Sequence, residues 1–318
     1  MIESFLYNPD GQEFQAHSAS LCEHRDELYC TWYVYTDKEH INGKVVIAKY
    51  NKSRLTWLSS KVVTNFPGSF GNPVLFSNGQ SLILYYVKIN NYWDDAQIYA
   101  LECLDTEKNI WDEPKKVNTP EGIMIRHRPI MSANRFLIPA YDEKKMTSLI
   151  YEIKSNFTDW REVSKIEGHF IQGDLVNNSN NEMQIFMRAA KDNQNIFRAL
   201  TINSADSWHP PIKTPLPCPL SGIAAIKTDK QEVLLCYNHT LQHKRSPISL
   251  NLSHNLGTNF YEKAYDIEST DTELSYPNML IDKDQNIHIV YTYARKKIKH
   301  ILTTHDEILN LLEDINAK

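Results

Sequence analysis

The sequence predicts an all-β fold, a six-bladed β-propeller followed by one short C-terminal helix. Three observations carry that prediction. Large aromatic residues recur at a nearly constant interval, each closes a similar polar segment, and the chain between them is a succession of short β-rich runs. Trp57, Trp111, Trp160, Trp208 and Phe260 stand 54, 49, 48 and 52 residues apart, a period in the range of propeller repeats.

The polar segments are YNKSRLTW (50 to 57), LDTEKNIW (104 to 111), IKSNFTDW (153 to 160), TINSADSW (201 to 208) and SHNLGTNF (253 to 260). Asn and Gly tolerate positive φ, and short hydroxyl and amide side chains bond the local backbone, so each segment suits a tight hairpin turn with its aromatic tucked beneath. The runs 28 to 35, 44 to 50, 82 to 88, 183 to 188, 232 to 238 and 287 to 293 are rich in β-branched and aromatic residues and read as strands. Four strands per unit of roughly 50 residues is the size of a propeller blade, so six blades use nearly all of the 318 residues. The expectation is a single domain over residues 1–318, with blades from about residue 10 to residue 303. Either the N-terminal segment or the last strand completes a blade begun at the opposite terminus. Thr304-x-x-Glu307 forms a capping box, and Ile308, Leu311, Leu312 and Ile315 share one face of a helix over 305 to 316, placed to pack on the propeller.

Composition narrows the function. The 34 Lys and Arg against 39 Asp and Glu give a net charge of −5, which disfavours a broad nucleic-acid surface. No stretch of about 18 apolar residues occurs, and the first residues lack the basic and apolar regions of an export signal. Five cysteines without CxxC spacing fit a reducing compartment, so the expected location is the cytoplasm, with no membrane partner. The twelve histidines show no HxH or HExxH spacing, and Asp282-Lys-Asp284-Gln-Asn286 reads as a hairpin turn, so neither metal nor cofactor is expected. Arg295-Lys-Lys-Ile-Lys-His300 reads as a solvated outer edge protected by lysines. The pattern sets no oligomeric state.

A propeller offers its ligand-binding groups at one end of the central channel, one or two per blade. Arg126, Arg188 and Arg245, spaced 62 and 57 residues apart, meet that test and would hold a carboxylate between planar guanidinium groups. Glu273 and Tyr276 stand beside Pro277, where a turn would bring them together. His17 and His127 are candidate proton-transfer groups, and Gln172 and Asn72 are neutral partners for sugar hydroxyls.

The chain also resembles the sialidase-like BNR (Asp-box) repeat family, in the branch of exo-alpha-sialidase-like proteins. The resemblance rests on SGIAAIKTDKQEVLLCYNHT (221 to 240), RSPISLNLS (245 to 253), ELSYP (273 to 277) and IHIVYTYARKKIKHI (287 to 301). AHSAS (16 to 20), NPVLF (72 to 76), IRHRPI (125 to 130) and FIQ (170 to 172) match more loosely. It implies a glycoside hydrolase acting on an anionic, carboxylated sugar or related small metabolite. Arg245, Arg188 and Arg126 would grip the carboxylate; Tyr276 would be the nucleophile, activated by Glu273; His17 would be a further acid or base, and His127, Gln172 and Asn72 would contact substrate. Two alternatives stand beside it: a lyase-like reaction on a uronate, and a non-catalytic propeller that binds sugar or protein. The family's Asn-Pro-Asn-Ser-Gly-Ile-Asp stretch is here Cys218-Pro-Leu220-Ser-Gly-Ile-Ala224, and the Arg-Ile-Pro opening of sialidases is missing.

Overall fold

Each of the five polar turns joins the third strand of a blade to its fourth. The computed structural model describes residues 1–9, 14–179, 181–191 and 193–317, so residue 10, the expected start of the blades, lies outside the described residues. Six antiparallel sheets surround a central channel. Their innermost strands are Gln15–His24, Ser69–Ser77, the interrupted pair Ile123–Ile125 and Ile130–Ser132, Phe170–Asn177, Ala224–Lys227 and Leu274–Ile281, numbered here as blades 1 to 6. Five turns serve six blades because the outer strand of blade 6 is the N-terminal Ile2–Tyr7, which pairs with Lys297–Thr303. That closure joins the two ends of the chain in one sheet and leaves no turn to repeat.

Apolar side chains on facing sheets form six clusters, each centred on one seam between neighbouring blades. Leu6 reaches the seam between blades 6 and 1 beside Trp32 and Val290. The helix His305–Asn316 is capped as the sequence predicts: Thr304 accepts from the Glu307 N–H, and Glu307 accepts from the Thr304 N–H in return. It buries Ile308 and Leu312 against blades 5 and 6.

The Arg295 to His300 run is not a solvated edge. Ile2–Tyr7 covers the strand, and Ile298, Lys299 and His300 are buried. Arg295 precedes that strand and turns toward the channel mouth, where it meets Glu273 and Glu39. Of the lysines read as protection for an edge, Lys297 and Lys299 therefore lie within a covered strand, while Lys296 is exposed in the turn before it.

A local feature repeats around the channel. The inner strands of blades 1, 2, 4 and 6 break register between His17 and Ser20, Gly71 and Val74, Ile171 and Asp174, and Ser275 and Asn278. In each break one residue has positive φ: Ser18, Asn72, Gln172 and Tyr276. Blade 3 is interrupted at Arg126–Pro129, and blade 5 has Leu220 at positive φ just before its inner strand. A bulge re-aims a side chain out of the alternating pattern, so these breaks deliver polar groups to the channel mouth.

Candidate functional site

Tyr276 forms the floor of the cup at the channel mouth. Its phenol is half-buried, and the guanidinium groups of Arg126 and Arg245 each lie 5.4 Å from its ring centre. His17 packs against the same ring at 4.2 Å and against Tyr33 at 5.9 Å. The Tyr276 hydroxyl accepts a hydrogen bond from Gln172 Nε2 at 3.1 Å. Gln172 Oε1 in turn accepts from Arg188 Nε at 2.8 Å, which fixes which end of the amide faces the phenol. The Tyr141 hydroxyl is 3.4 Å from both Gln172 Nε2 and Asn72 Nδ2. The bulges of blades 2, 4 and 6 thus meet in one network.

Glu273 has another set of partners. Its oxygens bind Arg245 at 3.1 Å and Arg295 at 2.8 Å, and Ser275 donates to it as well. Arg295 continues to Glu39 at 3.0 Å, and Glu39 accepts from the Tyr33 hydroxyl at 2.8 Å. Burial works to raise the Glu273 carboxyl, but Arg295, Ser275 and Arg245 together hold it below the usual value, so it is an ionised brace for two arginines. The Tyr276 hydroxyl meets the amide of Gln172 where Glu273 was expected, because the bulge between Ser275 and Asn278 sends the Glu273 and Tyr276 side chains to different partners.

Arg126 was expected to grip substrate, yet it is 1% exposed. It donates to the carbonyls of Ala19 at 3.1 Å, Tyr276 at 2.8 Å and Pro277 at 2.9 Å, tying blade 3 to blades 1 and 6 beneath the cup. His127 also lies in the channel, fully buried, with Nδ1 3.2 Å from Asp174 Oδ2. Burial, then Arg126 and Arg128, push its pKa well down. Burial raises Asp174 to about 6 against the pull of the Ala225 N–H, Arg128 and Arg126. Arg188, Arg245 and Arg295 remain partly accessible at the mouth, and among the described residues Arg188 has no carboxylate partner. His17 is held neutral, by burial first and then by Arg295, Arg245 and Arg126.

Of the residues singled out in the sequence, the structure brings His17, Asn72, Gln172, Arg188, Arg245, Glu273 and Tyr276 to one end of the channel, while Arg126 and His127, expected to contact substrate, are each 1% exposed beneath it. Sequence reasoning missed Glu39, Trp93, Tyr141, Glu143 and Arg295. Trp93 lies over the inner strand of blade 2; a Cβ on Gly71 would stand 2.8 Å from its ring, so only glycine admits it there. Cys218, where the family pattern has an asparagine, is buried with its thiol against Ser221. All five cysteines are free. Among the described residues no cluster of His, Cys, Asp or Glu is arranged to hold a metal ion, and no helix is long and apolar enough to cross a membrane.

The sequence family described as a BNR repeat-like domain matches residues 26–289. No curated protein matches the chain. Solved structures share the fold at low identity. The Hadza microbial sialidase Hz136 is 14% identical, with 96% of this chain and 69% of that one covered, at a TM-score of 0.81. A protein of unknown function from Dyadobacter fermentans is 15% identical over 95% of this chain and 98% of its own, at 0.78. The intramolecular trans-sialidase from Ruminococcus gnavus is 10% identical over 92% and 95%, at 0.76.

Proposed function

We propose that this chain, which belongs to the sialidase-like BNR repeat family, hydrolyses a glycoside of a carboxylated sugar at the cup above Tyr276. One observation carries the reading: the phenol of Tyr276 sits at the channel mouth among guanidinium groups, with no carboxylate hydrogen-bonded to its hydroxyl among the described residues. Arg188 and Arg245, joined by Arg295, supply planar donors for a carboxylate. A neutral phenol attacks the sugar without the repulsion a carboxylate nucleophile would meet from an anionic substrate. When the glycosyl–tyrosine bond later breaks, the negative charge returning to the phenol oxygen meets the Gln172 N–H and the two nearby guanidinium groups, fixed in place before the reaction. Arg126 supports this charge from below as a strut, outside substrate contact. A propeller of the same fold, the Ruminococcus gnavus trans-sialidase, is described in complex with oseltamivir carboxylate, a ligand of the charge type proposed here.

A second reading is β-elimination from a uronate. It is favoured by His17, a neutral imidazole in ring contact with Tyr276, a pairing suited to removing a proton beside a carboxylate. Product analysis on carboxylated glycosides separates the readings. Hydrolysis yields a reducing sugar that does not absorb in the near ultraviolet, while elimination yields an unsaturated product that does. Binding of the sugars with no product, in wild type and Tyr276→Phe alike, would replace both with a sugar-binding propeller.

A further inference from the structure

The rim of the cup carries one residue from each blade, acidic or aromatic in blades 1 to 3 and arginine in blades 4 to 6. The connection between the second and third strands faces the mouth in every blade. In blades 1 to 3 it carries Glu39, Trp93 with Asp94 beside it, and Glu143. In blades 4 to 6, Arg188 is the last residue but one of the second strand, and Arg245 and Arg295 lie in the connections. If the sugar carboxylate sits on the basic half, the rest of the glycoside extends over the acidic half.

Hydrolysis requires a proton for the departing oxygen, and most groups at the mouth have none to give. His17 is held neutral. Glu273 is ionised between two arginines, and Glu39 is engaged by Arg295 and Tyr33. Glu143 differs: its carboxyl is half-buried and, among the described residues, has neither an ion pair nor a hydrogen bond. Its backbone is pinned, because the Glu143 N–H donates to the Gly122 carbonyl and the Gly122 N–H donates to Ala96, both at 2.9 Å. Gly122 has φ +84°, and a Cβ there would stand 2.6 Å from the Asp94 carbonyl oxygen, so the loops of blades 2 and 3 are locked together at this point. Two residues earlier, at the end of the preceding strand, Tyr141 joins the network of Gln172 and Asn72. Burial raises the Glu143 carboxyl, Arg188 opposes, and Asp94 and Asp142 add to the rise.

We propose that Glu143 is the general acid of this site, protonating the glycosidic oxygen as the bond to a carboxylated sugar breaks. The inference rests on the hydrolase reading. In the first step the anomeric carbon–oxygen bond breaks, its electron pair stays on the departing oxygen, and that oxygen takes the Glu143 proton. Tyr276 bonds to the anomeric carbon and releases its hydroxyl proton to water in the cup. In the second step water attacks the anomeric carbon and gives a proton to the Glu143 carboxylate, while Tyr276 leaves and regains a proton from water. One water is consumed per bond cleaved.

The test compares wild type with Glu143→Gln on two carboxylated glycosides, one with an alkyl leaving group and one with a nitrophenyl group that departs without a proton. Turnover of the alkyl substrate should fall about 100-fold or more, within the range that general acids contribute. Turnover of the nitrophenyl substrate should change far less, and the loss of kcat/KM at high pH should flatten. Equal losses on both substrates, or an unchanged high-pH limb, would overturn the assignment and leave the hydrolase reading standing. If wild type turns over no carboxylated glycoside, the hydrolase reading itself fails, and Glu143 is then judged by carbon NMR of glutamate-labelled protein. A carboxyl resonance that titrates above the ordinary carboxylate range and vanishes in Glu143→Gln supports a proton-holding acid; titration of that resonance in the ordinary range overturns it.

Discussion

Gln172 points its amide nitrogen, and not its oxygen, at the Tyr276 hydroxyl 3.1 Å away, because Arg188 Nε holds the oxygen at 2.8 Å. The phenol oxygen is therefore an acceptor, and its own proton is free to face the cup. Gln172→Glu would exchange this donor for an acceptor and set a negative charge against the oxygen that must bear charge when the sugar departs. Loss of a hydrogen bond to a charged group is worth about 1.5–3 kcal/mol, so kcat/KM should fall roughly 10- to 100-fold. A rise in activity would mean that Tyr276 needs a carboxylate base, contrary to this account.

Arg126 should behave as a structural residue. Arg126→Met leaves the carbonyls of Ala19, Tyr276 and Pro277 without their donor in a buried channel, at about 1–3 kcal/mol for each group left unsatisfied. Urea denaturation should show a loss of about 3 kcal/mol or more. Arg188→Met, on the accessible rim, should leave stability nearly unchanged and weaken anion binding. Similar stability for both variants would return Arg126 to the list of substrate arginines.

Several buried histidines make the fold sensitive to acid. His17 and His127 are held well below their ordinary value, His288 below it and His300 down to about 3, in each case chiefly by burial. The unfolded chain takes up these protons below about pH 6.5 while the folded chain does not, so stability falls as pH drops through that region. The slope is about 1.4 kcal/mol per pH unit for each histidine. Asp174, raised to about 6, acts in the opposite direction but offsets only one proton of the four. Calorimetry should find Tm decreasing from pH 7 to pH 5, with a shallower slope in His127→Gln. A flat Tm would contradict the burial of these groups.

The channel interior should hold ordered water. His17 Nδ1, Ser18 Oγ, Ser20 Oγ and Arg126 Nε are buried without a protein hydrogen bond, and such groups in native proteins are met by water. A high-resolution crystal structure should show water molecules bridging these atoms. A channel without water would contradict this expectation.

Much of this arrangement was legible. The tryptophan turns marked the blades because one hairpin geometry demands the same residue types each time, and the closing strand Ile2–Tyr7 explains why the sixth turn is missing. Asn72, Gln172 and Tyr276 could be singled out because they stand in the short motifs NPVLF, FIQ and ELSYP that carry the family resemblance. Their left-handed backbone could not be read, since no glycine marks it. The rim was harder. Arg295 is hidden in a run of lysines that resembles a solvated edge, and Glu143 in YDEKK resembles an ordinary hairpin turn. Yet Glu39, Trp93, Glu143, Arg188, Arg245 and Arg295 are separated by 54, 50, 45, 57 and 50 residues, close to the spacing of the turns. That interval was the available signal. The pairing of Glu273 with Arg245 and Arg295 was out of reach, because it depends on how three separate connections meet in space.

Everything proposed for the cup depends on the arginines of the rim, above Tyr276, recognising a sugar carboxylate. Calorimetric titration with a carboxylated monosaccharide and with its neutral carboxamide tests it most directly, in wild type and in Arg245→Met. Wild type should bind the acid at least about 10-fold more tightly, a difference of about 1.4 kcal/mol, and Arg245→Met should largely remove the preference. Equal affinity for acid and amide, or a preference that survives Arg245→Met undiminished, would contradict it.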